Sequence, residues 1–107
     1  MSYAVHIVAD AERDILDIYR YVRNAASKRK ADELLAKLEA ACESLDVAPE
    51  RGHIPPELRP VGVVEYREIH YKPYRIIYQT VGKRVYVHCV LDGRRELQEL
   101  LEERLLR

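Results

Sequence analysis

The chain has 107 residues, 48% of them hydrophobic and 34% charged, and its 18 basic side chains balance 18 acidic ones. These are the proportions of a globular chain of one-domain size, and no apolar run is long enough to span a bilayer. The N-terminal MSYAVHIVAD lacks the basic start, apolar core and cleavage site of an export signal, so a cytoplasmic location is expected.

The charge is unevenly distributed. Residues 1–50 hold 7 basic and 10 acidic side chains, residues 51–95 hold 9 and 4, and residues 96–107 hold 2 and 4. A basic centre between acidic flanks suits an anionic partner such as nucleic acid, and equally an ordinary solvated sheet edge. Cys42 and Cys89 lack the C-x-x-C spacing of redox or zinc motifs and are expected as buried free thiols.

In chain order, Tyr3 to Val8 is β-branched and apolar and predicts a short strand. Asp10 is the expected N-cap of a helix over Ala11 to Val22, where Ala11, Ile15, Ile18, Tyr19 and Val22 form an apolar stripe. Glu12, Arg13, Asp14, Asp17, Arg20 and Arg23 are assigned largely to the outer side. Ser27 is positioned to cap a second helix with the stripe Ala31, Leu34, Leu35, Leu38, Cys42 and Leu45, ended by Val47-Ala48-Pro49. This helical hairpin must bury its stripe on a sheet.

Residues 49–63, PERGHIPPELRPVGV, hold four of the five prolines and two of the four glycines and predict an irregular loop, either a lid or a plain crossover. The breakers Lys72-Pro73 and Val81-Gly82 then divide an antiparallel meander into Val64–Tyr71, Tyr74–Thr80 and Lys83–Leu91. Strict alternation places Val85, Val87, Cys89 and Leu91 on one face of the last strand and Tyr86, His88 and Val90 on the other. In the middle strand Tyr74, Ile76 and Tyr78 oppose Arg75, Ile77 and Gln79. The two helices are expected on the apolar face, which leaves the mixed face bearing Arg75 and His88 as a working surface. Asp92-Gly93 turns the chain into a last helix with Leu97, Leu100, Leu101 and Leu105 at helical spacing. The expected fold is therefore α+β, β-α-α-β-β-β-α, with a helical hairpin on a mainly antiparallel sheet and a C-terminal helix, in a single domain over residues 1–107.

This order, with AERDILDIYRYV in the first helix, LAKLEAACESL in the second, GHIPPEL in the loop, YREIHYKPYRIIY across two strands and LDGRRELQELL at the last turn, resembles the ParE/RelE toxin superfamily. The YREI and YRIIY pair followed by GRR is the most specific part. The resemblance implies a small toxin neutralised by a cognate antitoxin that wraps around it. It also implies one of two activities: ParE-like members inhibit DNA gyrase by binding, and RelE-like members cleave mRNA on the ribosome. The first helix and the complete helical hairpin look closer to the ParE-like branch, which needs no catalytic group.

Under the alternative, a metal-independent endoribonuclease would use cations around the scissile phosphate together with a base and an acid. Arg67, Arg75 and Arg95 match the positions that RNA-cleaving relatives use, with His88 or Glu68 as a substitute base. An aromatic group that such enzymes carry in the last helix is replaced by Leu101. Arg75 has a competing role as the cross-strand partner of Glu68. Arg67, Arg75, Arg94, Arg95, Leu97, Leu101 and Leu105 are the expected contacts with target or antitoxin, and the leucine stripe could instead bury against a second copy of the chain, as a homodimer. No cofactor is expected. His6, His53, His70 and His88 are scattered along the sequence, so no metal site is expected either.

Overall fold

The computed structural model describes residues 2–93 and 97–105, with Leu97, Gln98, Leu101 and Leu105 described by their backbone only. The elements run β1 (Ala4–Ile7), α1 (Ala9–Ala25), α2 (Lys28–Glu43), β2 (Tyr66–Tyr71), β3 (Tyr74–Val81), β4 (Arg84–Asp92) and α3 (Leu97–Leu105). The sheet order is β1-β4-β3-β2, with β1 parallel to β4 and the remaining pairs antiparallel. This is the α+β arrangement expected from the residue pattern.

Ser27 caps α2 by accepting the Lys30 N–H at 3.1 Å, as its position predicts. The cap of α1 differs from expectation. The helix begins at Ala9 with Val8 in the cap position, and Asp10 lies inside the first turn, where it pairs with Arg13. Both hairpin stripes point inward: Ala11, Ile15, Leu38, Cys42 and Leu45 bury against Ile76, Tyr78, Val85, Val87 and Val90, with Leu34 and Leu35 packed at the margin. Cys42 and Cys89 are free and buried, and burial pushes their thiols up to about 12 and about 11, which leaves both unreactive near neutral pH.

The alternation expected for β4 fails at one point. Ile77 pairs with Cys89 but Tyr78 pairs with Val87, so β4 carries one extra residue there. Such a bulge reverses the side assignment of every residue after it. Val85 and Val87 face the helices as expected, but so does Val90, whereas Cys89 and Leu91 join Ile77 on the opposite face. That face is covered over part of its area. Leu58 from the loop is 2% exposed and packs on Ile77, Cys89 and Leu91, with Val63, Tyr66 and Leu100 beside it. The proline-rich segment thus carries its own piece of core.

Asp14, assigned to the outer side of α1 by charge, is 8% exposed. Its carboxylate accepts the Val90 N–H at 3.0 Å and a bidentate pair of bonds from Arg104 at 2.6 Å each. One side chain therefore links α1, β4 and α3.

The loop is fastened to the sheet through Tyr78, which is fully buried. Its hydroxyl accepts the Gly52 N–H at 3.1 Å and donates to the Pro49 carbonyl. A Cβ at position 52 would stand 2.3 Å from the Tyr78 hydroxyl and 2.7 Å from the Glu68 carbonyl. Gly52→Ala is expected to cost about 1–3 kcal/mol through overpacking at this seam. Urea unfolding checks the value, and a variant as stable as the parent would show that the loop yields without cost.

Candidate functional site

The loop and the β2–β3 hairpin enclose an open cleft of about 360 Å³ lined by His53, Glu57, Glu68, His70, Lys72 and Arg75, among others. Its floor follows from strand alternation. Tyr66, Glu68 and His70 share one face of β2, and the register Glu68 to Ile77 and His70 to Arg75 puts Arg75 and Ile77 on the same side. His53 joins them because its N–H donates to the Glu68 carbonyl at 3.1 Å and its carbonyl accepts the Glu68 N–H at 2.7 Å, a one-residue antiparallel bridge.

Glu68 is the centre of the cleft and only 1% exposed. An ionised carboxylate at that depth requires charged and hydrogen-bonded partners. Arg75 supplies them, with Nε 2.7 Å from Oε1 and Nη2 2.8 Å from Oε2. The other edge of the same guanidinium holds Glu57 of the loop, Nη1 to Oε2 at 2.7 Å and Nη2 to Oε1 at 2.9 Å. Four hydrogen bonds thus occupy most of a group that has five N–H donors. His70 Nε2 lies 2.6 Å from Glu68 Oε1, and His53 Nε2 lies 3.5 Å from Oε2.

These contacts set the protonation states. Burial pushes the Glu68 carboxyl up, but the hydrogen bonds from Arg75 and His70 outweigh it and hold the group below the usual carboxylate range. Hydrogen bonds from Arg75 lower Glu57 as well, and Glu57 and Glu68 together raise Arg75 further. Near neutral pH the cleft therefore holds two carboxylates around one neutralised guanidinium.

The other expected site residues lie elsewhere. Arg67 pairs with Tyr78 across the strands and so projects from the opposite face to Arg75. Its guanidinium donates to the Gly52 carbonyl at 2.8 Å and the Glu50 carbonyl at 3.4 Å, which makes it a fastener of the loop. Arg67 and Arg75 thus do not converge on one phosphate. Arg94 and Arg95 lie outside the described residues, as do the side chains of Leu97, Leu101 and Leu105. His88 sits at the bulge, edge-on to the Tyr66 ring at 5.6 Å and 3.3 Å from Gln79 Oε1. Burial lowers its pKa and keeps it neutral, and it is not among the residues lining the cleft. Glu68, the other substitute base, is ionised and held below the usual carboxylate range by Arg75 and His70, which makes it a weak base.

The histidines are scattered along the sequence, but the bridge at His53 brings it beside His70 with their rings 5.3 Å apart. A two-residue step from Glu68 to His70 marked half of this cluster in the sequence; the loop residue carried no such mark. Glu57, whose carboxylate completes the clamp on Arg75, likewise carries no local mark in the sequence.

Because Arg75 is the partner of a buried carboxylate, Arg75→Met should cost about 3 kcal/mol at pH 7. The pH dependence should also change sign. In the parent, Glu57 and Glu68 are depressed, so their contribution is complete above about pH 4.3 and is lost as pH falls through the folded values. Without Arg75, burial raises Glu68 instead, and the variant should regain stability as pH falls from 7 toward 4. Urea unfolding across that range checks it, and parallel curves for the two proteins would contradict the clamp.

Residues 5–97 match the family described as ParE toxin of type II toxin-antitoxin system, parDE. No curated protein matches the sequence. Among solved structures, the chromosomal ParDE toxin-antitoxin system from P. aeruginosa is similar in fold, with a TM-score of 0.69 at 15% identity over 83% of this chain and 94% of that one. The toxin-antitoxin complex RelBE2 from Mycobacterium tuberculosis aligns with a TM-score of 0.61 at 18% identity, over 84% of this chain and 96% of that one. The match over nearly the whole length, on a fold shared with both structures, shows that the chain belongs to the ParE family of type II toxin-antitoxin toxins.

Proposed function

We propose that this ParE-family toxin acts by binding DNA gyrase and that a cognate antitoxin neutralises it in the cytoplasm. The observation that favours binding over RNA cleavage is the state of Arg75. Its guanidinium is held by Glu57 and Glu68, and Arg67 is on the opposite face of the sheet. Stabilising a phosphorane needs cations aimed at the developing charge and unencumbered by carboxylates, whereas inhibition by binding needs none. The antitoxin reading rests on the family and on the two similar structures, a toxin-antitoxin system and a toxin-antitoxin complex. Among the described residues no helix is long and apolar enough to cross a membrane.

The proposed contacts for antitoxin or target are the leucines of α3, Leu97, Leu101 and Leu105, with Arg94 and Arg95 before them. Arg67 and Arg75 are committed to intramolecular partners and contribute to recognition by holding the loop in place.

Two assays run side by side test the proposal. The purified protein should inhibit gyrase supercoiling, equimolar antitoxin should reverse the inhibition, and mRNA in a translating extract should stay intact. Cleavage that is lost on Arg75→Ala or Arg95→Ala, with supercoiling unaffected, would establish the RNA-cleaving alternative instead. Deleting residues 97–107 should weaken antitoxin binding at least tenfold, with circular dichroism reporting whether the remaining fold survives. Full affinity after that deletion would remove the α3 stripe from the antitoxin contact, and dimers of the free toxin that antitoxin leaves intact would assign the stripe to a second copy of the chain.

A further inference from the structure

We propose that His53, Glu68 and His70 form a binding site for a divalent transition-metal ion of the zinc class, which fastens the proline-rich loop to β2. The three side chains each offer a ligand atom, and these atoms lie within 4.8 Å of one another. They come from two segments held in register by backbone hydrogen bonds rather than from a flexible surface cluster. His53 is bridged to Glu68 in both directions, and His70 follows Glu68 by two residues on the same face of the strand. Two imidazoles and one carboxylate are the donor set with which proteins hold zinc while leaving a fourth position to water.

The distances fit with small side-chain movements. Ligand atoms at roughly 2.0–2.1 Å from a tetrahedral ion stand roughly 3.3 Å apart. His53 Nε2 and Glu68 Oε2 are already 3.5 Å apart, whereas His70 Nε2 is 2.6 Å from Glu68 Oε1 and must open from a hydrogen bond to a shared ligand spacing. Both imidazoles have room to turn, since their side chains are 54% and 46% exposed at the mouth of the cleft. The carboxylate cannot turn, because Arg75 holds both of its oxygens. Arg75 would thus orient the acidic ligand, the role that outer hydrogen-bond donors commonly play at metal sites. The charge of Arg75 lowers the site's affinity, and Glu57 on its other edge offsets that charge.

The inference is independent of the toxin's target, and the experiment needs neither gyrase nor antitoxin. Zinc chloride is titrated into tag-free, reduced protein against a chromophoric chelator, and cobalt chloride is used in parallel for its visible absorption. One zinc ion per chain is expected, with a tetrahedral cobalt spectrum. His53→Gln and His70→Gln should each weaken zinc binding at least tenfold, and both residues are exposed enough for the fold to tolerate the change, which circular dichroism verifies. His6→Gln, distant in the fold, should leave the affinity unchanged. Failure of the parent to bind zinc more tightly than the folded His53→Gln/His70→Gln double variant overturns the proposal. An equal loss in His6→Gln also overturns it, because it would place the ion elsewhere.

Discussion

The architecture on the loop side of the sheet depends on the burial of one carboxylate. Glu68 sits in the middle of β2 at 1% exposure, where an unpaired charge would be severely unfavourable. Arg75, diagonal to it on the neighbouring strand, satisfies both oxygens and is too large to be filled by one partner. Its remaining donors reach Glu57, and so the loop is drawn onto the sheet. Once Glu57 is placed, Leu58 lands on Ile77, Cys89 and Leu91 and closes the second layer of core. The backbone of Glu68 meanwhile pairs with His53. A polar requirement at one position therefore organises an apolar cluster, a loop path and the shape of the cleft.

The same requirement bears on what chemistry Arg75 is available for. An arginine that serves as half of a buried ion pair cannot also offer its charge to a substrate without leaving the carboxylate exposed to the cost of desolvation. The fold is shared with ParDE and RelBE2 structures at low identity. Fold alone does not decide what the sheet does; the chemistry at positions such as Arg75 does.

Much of this was legible in the residues. Apolar spacing located the helical hairpin, Ser27 announced its cap, and the breakers at Lys72-Pro73 and Val81-Gly82 divided the meander close to the observed strands. The failures share a cause. Alternation carries no record of an inserted residue, so the bulge opposite Ile77 and Tyr78 moved Cys89, Val90 and Leu91 to unexpected faces. Its charge argues for an outward Asp14, although it stands three residues after Ala11 and four before Ile18, on the inner stripe by position alone. Long-range partners were the least readable: nothing local ties Arg104 to Asp14, or Glu57 and His53 to a strand beyond the loop. The Glu68–Arg75 pair could be anticipated only because the two residues belong to adjacent strands.

The bond from Asp14 to the Val90 N–H has a consequence for association. β1 pairs with β4 only as far as Val87, so the rest of β4 would present bare backbone along its flank. A sheet flank of that kind invites another chain to add a strand, the usual route to edge-to-edge aggregation. Asp14 takes the Val90 donor with a charged side chain that no incoming strand can match in register, and Arg104 keeps that carboxylate in position. On the far side of the sheet, His53 occupies both backbone groups of Glu68 in the outer strand. Two side branches of the fold, each only one residue wide, thus occupy backbone groups that an added strand would need.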